Sequence, residues 1–115
     1  MTTTETGRKA EAVAAAFLQA KGCDILAQNW RTRWCEIDVV AKRGRVVYFC
    51  EVKYRRHGRQ GRGIDYITPK KLQQMSFAAE FWLAKQAWDG ECQLCAIEVS
   101  GPQFVITNVV KDIVL

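Results

Sequence analysis

The segment from Val46 to Arg56, VVYFCEVKYRR, places bulky apolar residues at consecutive positions. As a strand it turns Val47 and Phe49 to one face and Val46, Tyr48, Cys50 and Val52 to the other. A strand apolar on both sides belongs inside a sheet that is covered on both faces. A chain of 115 residues has room for one such sheet and one modest core. The same strand then carries Glu51 and Lys53 on the Val47/Phe49 side. Charges in a strand that asks for burial need a reason.

The rest of the chain supplies the covering elements. In GRKAEAVAAAFLQAKG, Ala10, Val13, Ala14, Phe17 and Leu18 recur at helical spacing, and Gly22 supplies a stop. DILAQNWRTRW, EIDVVAK and RVVYFCEVKYR read as three strands, the last two joined by a hairpin at Arg43-Gly44. Thr68-Pro69 opens a second helix as N-cap and first helical residue, running to about Ala87. QLCAIEVS and QFVITNVV form a last strand pair around Gly101-Pro102. The order α-β-β-β-α-β-β predicts an α/β fold, a single mixed sheet flanked by helices. Residues 1–115 make one domain, with 1–6 a flexible lead and 55–67 a mobile basic loop rich in glycine.

Hydrophobic residues are 49% and charged residues 25% of the chain, an ordinary soluble composition. No apolar run is long enough to span a bilayer, and the N-terminus lacks the apolar segment of a signal peptide, so the expected location is the cytoplasm, with no membrane partner. Five cysteines at irregular spacing do not make a disulfide framework, and Cys92-x-x-Cys95 has no second ligand pair for zinc. The net charge of +5 is unevenly spread. Between Lys42 and Lys71 ten Lys/Arg face only Glu51 and Asp65, a local +8, while the remainder is at −3. Such a concentration suits a polyanion-binding surface; a basic face kept for solubility is the alternative.

With Arg43-Gly44 as the turn residues, Val40 pairs with Val47, Asp38 with Phe49 and Glu36 with Glu51. Asp38 and Glu51 then become diagonal neighbours on one face, about 7–8 Å apart, with Lys53 on that face. Two carboxylates so placed repel unless a cation lies between them. Mg²⁺ or Mn²⁺ fits, with hard oxygen ligands from Asp38, Glu51 and the Val52 carbonyl, and a weakly held ion is expected. A divalent ion in that place assists attack on a phosphodiester, and Lys53 could stabilise the developing charge. The other reading is structural: a Glu51–Lys53 pair at a strand end, with Asp38 paired to an arginine.

Asp38 followed thirteen residues later by the EVK of Glu51 to Lys53 resembles the PD-(D/E)XK nuclease motif. The longer pattern from Gly7 to about Leu83, with NWR, EID, EVKYR and TPKK in order, resembles the YraN-like family of small bacterial proteins. That resemblance implies a restriction-endonuclease-like core similar to Holliday-junction resolvases. It implies Asp38 and Glu51 as metal ligands, Lys53 as catalytic lysine, and Glu11 of the first helix as the acidic residue that joins the metal shell. Without the resemblance Glu11 would be a solvent-facing glutamate. Cys35 stands where the family usually has glycine before the EID glutamate. The resemblance also implies a homodimer, since cutting two strands takes two sites.

DNA is the expected partner, gripped by Arg55, Arg56, Arg59 and Arg62 of the basic loop and by Thr68, Lys70 and Lys71 at the second helix start, where free N–H groups favour phosphate. Lys70 and Lys71 could equally be solvated. His57 receives no role. In NWRTRW, Trp30 and Trp34 share one strand face and Arg31 and Arg33 the other; core packing of the tryptophans, with the arginines on solvent or phosphate, is favoured over base stacking. Two functions follow: a metal-dependent nuclease acting on branched or damaged DNA, or a nucleic-acid-binding adaptor that retains the nuclease fold without cutting. A third reading docks the basic loop on an acidic protein.

Overall fold

A computed structural model of the chain describes residues 1–57 and 65–113. The element order is α1 (Thr3–Ala20), β1 (Asp24–Arg31), β2 (Glu36–Arg43), β3 (Val46–Arg55), α2 (Pro69–Gln86), β4 (Glu91–Ser100) and β5 (Val105–Val110). The strands form one sheet in the order β1-β2-β3-β4-β5. β3 is central. It pairs antiparallel with β2 and parallel with β4, so α2 is the crossover between β3 and β4.

The two-sided apolar pattern of β3 is satisfied as that pattern requires. Val47 and Phe49 pack with Val40, Ala78, Ala79 and Trp82 beneath α2, and the Phe49 and Trp82 rings meet edge-on at 5.6 Å. Cys50 lies on the opposite face with Val39, Ala41 and Ile97, beneath Ala10, Ala14 and Leu18 of α1. Small residues on α1 let the helix approach the sheet closely. All five cysteines are free, and Cys95 packs in the core as a small apolar residue.

Helix α1 begins at Thr3, earlier than the expected start at Gly7. The reason is a capping box: the Thr2 hydroxyl accepts from Glu5 N–H and the Glu5 carboxylate accepts from Thr2 N–H. At α2 the Thr68 hydroxyl accepts from Lys71 N–H at 3.1 Å, as the Thr-Pro start predicts. Ala87 closes that helix in the left-handed region, with φ of 51°.

The hairpin register differs from expectation. Arg43 pairs with Val46, so the turn residues are Gly44 and Arg45. Gly44 supplies the positive φ, +60°, that the first central position of a tight hairpin favours. Val40 therefore faces Phe49, and Val39 faces Cys50. The shift is by two in pairing, which leaves the side chains of the paired stretch, Val39–Arg43 with Val46–Cys50, on their expected faces. At this same end of β3 the parallel partner starts close by: Glu91 N–H donates to the Arg45 carbonyl at 2.7 Å. A Cβ at Gly90 would lie 2.6 Å from that same carbonyl oxygen, so only glycine fits there.

Candidate functional site

The β2–β3 ladder stops at Val39–Cys50. Beyond it the alternation of β2 breaks: Val39 and Ala41 pack under α1, but Ile37 joins the cluster under α2. Asp38 sits at the break. The neighbouring strand is irregular at the same level, where Asn29 takes φ of 50°. Asparagine tolerates that conformation better than most residues. The consequence is local. Freed from the ladder, the Asp38 carboxylate accepts the Val52 N–H at 2.8 Å. In an extended strand a residue's N–H and C=O point the same way, so the Val52 carbonyl also faces the gap between the strands.

Three further carboxylates surround this point. Glu51 follows the ladder's end on β3, Glu11 reaches in from α1 and bonds to Asp38, and Glu36 begins β2. Burial, then the Asp38 charge, pushes both Glu11 and Glu51 up from 4.5 to about 7. Burial also raises Asp38, against the opposing pull of the Val52 N–H. Site construction therefore concentrates more negative charge than its surroundings neutralise. Among the described residues the compensating cation is Lys71, whose Nζ lies 3.1 Å from Glu51 Oε2.

These values fix the pH dependence of the metal-free fold. Between 4.5 and about 7 the folded chain holds protons on Glu11 and Glu51 that the unfolded chain has released. That stabilisation is full below pH 4.5 and is lost as the pH rises through about 7. Thermal melts in EDTA should show a midpoint falling from about pH 5 to about pH 8, and excess Mn²⁺ at the upper end should restore it. A flat profile in EDTA would contradict the placement of these carboxylates.

The other predicted residues divide. Lys53 is exposed on β3, and the ammonium held against Glu51 is that of Lys71 instead. Arg55 is not a loop residue. It ends β3 with its side chain 14% exposed, ion-paired to Glu98 at 2.6 Å and to Asp65, with its guanidinium over the Tyr66 ring. Its predicted place on phosphate is taken by these partners. Arg56 and Lys70 are exposed, and Arg31 pairs with Glu36 at 3.5 Å on the surface. The Thr68 oxygen is engaged in capping. Arg59 and Arg62 lie outside the described residues. Trp30 and Trp34 do not share a strand face, because β1 ends at Arg31. Trp34 falls in the turn that follows and is 65% exposed, contrary to the expected core packing. In that turn the Thr32 hydroxyl accepts from the N–H groups of Trp34 and Cys35, and Cys35 Sγ lies 3.4 Å from the same oxygen.

Two contributors escaped the sequence reading. Glu36 was visible in EID but was placed only by register. Tyr66 has a buried hydroxyl with no hydrogen-bond partner among the described residues; burial, then the Glu98 and Glu51 charges, push its pKa up. No periodic pattern marks such a residue.

The model of the uncharacterised protein family UPF0102 matches residues 10–101, which include Glu11, Asp38, Glu51, Lys53 and Lys71. This chain belongs to that family. It is 38% identical to a UPF0102 protein of Neisseria gonorrhoeae over 96 residues, covering 83% of this chain and 84% of the relative. A UPF0102 protein of Neisseria meningitidis serogroup C is 39% identical over 97 residues, with the same coverage. One from Mycolicibacterium vanbaalenii is 43% identical over 82 residues, covering 71% of this chain and 68% of the relative. The UPF0102 match thus spans the carboxylate site, the crossover helix and β4, and ends before β5. No helix among the described residues is long and apolar enough to cross a membrane.

The donors fit a hard divalent ion by chemistry: carboxylate oxygens in mutual repulsion, with a strand carbonyl facing the same gap. Among the described residues no three His, Cys, Asp or Glu side chains are already gathered tightly enough to hold a metal. An ion would be held by Asp38, Glu51 and the Val52 carbonyl, with Glu11 drawn in and Lys71 released.

Proposed function

We propose that this UPF0102 protein is a metal-dependent DNA phosphodiesterase of the PD-(D/E)XK type. The observation that carries the reading is the convergence of Asp38, Glu51 and Glu11 where β2 and β3 separate, with Glu11 and Glu51 raised to about 7. When bound by Asp38, Glu51 and the Val52 carbonyl, Mg²⁺ or Mn²⁺ would lower the pKa of an attacking water and offset charge on the phosphoryl oxygens. Asp38, oriented by the Val52 N–H, keeps an oxygen for the ion. Glu11 and Glu51, raised to about 7 without the ion, would give up their protons as it binds and hold it as carboxylates. Lys53 is the cation that the family resemblance assigns to the developing charge, and Lys71 balances Glu51 until the ion enters. Arg56 and Lys70 offer exposed positive charge to the backbone of the DNA.

One observation favours a second reading. The Lys71–Glu51 pair neutralises a would-be ligand without any metal, which suits a nucleic-acid-binding module that does not cut. The test is incubation with linear, flap and four-way-junction DNAs in Mg²⁺, Mn²⁺ or EDTA. Cleavage in metal alone, abolished by Lys53→Ala, supports the nuclease. Binding without cleavage under every condition leaves the adaptor.

A further inference from the structure

Between the 31–36 turn and α2 runs an open groove of about 650 Å³. Its walls include Trp34, Phe77, Lys70, Lys71 and Glu36. Glu36 and Met75 also line a small separate cleft beside Glu51, so the groove lies next to the carboxylate site. Two large apolar side chains with much of their surface in water share this groove: Trp34, 65% exposed, and Phe77, 50% exposed. Neither is a loose ring. Trp34 and Phe77 both contact Phe81, with centroids 6.0 and 6.3 Å apart, and Trp30 braces Phe81 from the other side of the turn at 6.0 Å. The Arg33 guanidinium lies over the Trp34 ring at 5.2 Å. A braced aromatic platform with a cation beside it is what an unpaired base stacks on.

We propose that this groove receives an unpaired nucleobase, so that the DNA acted on is single-stranded or flapped next to the phosphate at Asp38 and Glu51. The proposal rests on the nuclease reading for its orientation toward the carboxylates, but stacking itself needs no metal. The charge of the walls selects the occupant. Arg31 is paired with Glu36 and Lys71 with Glu51, so the exposed Lys70 on one wall and Arg33 at Trp34 are the cations that meet the occupant, which matches a polyanion and disfavours a basic peptide. An intact duplex does not fit the requirement, because its base faces are already stacked on one another.

The experiment is fluorescence anisotropy in EDTA with the full chain and three labelled oligonucleotides: a single strand, a 5′-flap and a blunt duplex. Wild type should bind the single strand and flap about tenfold more tightly than the duplex, and should quench 2-aminopurine placed in the flap. Trp34→Ala should lose about tenfold on the first two and leave duplex binding unchanged, while Trp34→Phe keeps most of the affinity. Phe77→Ala, on the other wall, should show the same selectivity should Trp34→Ala fold poorly. Equal binding of flap and duplex by wild type would overturn the inference, as would indifference of flap binding to both alanine variants. Sedimentation showing a wild-type dimer that Trp34→Ala dissociates would assign the platform to a second copy and overturn it too. Because no cleavage is read, a chain that cuts nothing can still pass, and a chain that binds flap and blunt duplex equally fails this inference alone.

Discussion

Asp38→Asn is expected to abolish Mn²⁺ binding and to reduce cleavage by at least about 100-fold, while DNA affinity holds or rises. The substitution is close to isosteric. An asparagine oxygen can still accept the Val52 N–H that Asp38 accepts at 2.8 Å, so the local fold survives. What disappears is one negative charge at the centre of the cluster. Glu11 and Glu51, held near 7 partly by that charge, should fall back toward 4.5, and the decline of stability with rising pH should flatten. Phosphate should meet less repulsion. Calorimetric or paramagnetic-relaxation titration with Mn²⁺ on both proteins checks this directly. Equal binding would remove Asp38 from the metal site, and no binding by either, with or without DNA, would favour the adaptor.

Arg55→Ala should destabilise the fold by about 3–5 kcal/mol, the usual result of stranding one member of a buried ion pair. Its partner Glu98 is 5% exposed and also accepts from the Thr107 hydroxyl at 2.9 Å. Without the guanidinium that carboxylate stays buried and uncompensated. For a domain of this size the loss corresponds to a fall in Tm of roughly 10–20 °C. Arg55→Ala combined with Glu98→Gln should recover much of it, since the amide carries no charge and can still accept from Thr107. The neighbouring Arg56→Ala, on an exposed side chain, should change stability by less than about 0.5 kcal/mol and instead lower the salt dependence of DNA binding by about 0.9 in log–log slope. Denaturant unfolding of the three variants separates these outcomes. An Arg55→Ala protein as stable as wild type would return that residue to the phosphate-binding surface.

The contrast between Arg55 and Arg56 shows where sequence reading ran out. Helices, strands and the central place of β3 were legible because periodic apolar residues dictate them within a few positions. The setting of Asp38 was not legible: the alternation of β2 breaks there, and its carboxylate turns to the Val52 N–H while Glu51 meets Lys71 of α2. The turn was misread by one position because Arg43-Gly44-Arg45 offers its glycine to either central place, and only φ decides. The start of α1 was readable in the Thr2–Glu5 capping box and was overlooked. The partner of Arg55 was not readable. Parallel pairing brings Lys53 opposite Glu98 only after a crossover whose path no local pattern fixes. The Lys71–Glu51 contact depends on that same crossover, and so does the wall that α2 offers to Trp34.

The place where β2 leaves β3 also turns one backbone proton into a gauge. Most amides of a central strand are locked to carbonyls, which do not titrate. The Val52 amide is bound to a carboxylate that does. Its nitrogen and proton chemical shifts should follow the ionisation of Asp38, and its protection from deuterium exchange, relative to the intrinsic rate at each pH, should fall once that acceptor is protonated, while the amide of Cys50 stays protected by the ladder. A single pair of cross-peaks then reports the charge state of the site from inside the sheet, without a label and without a substrate.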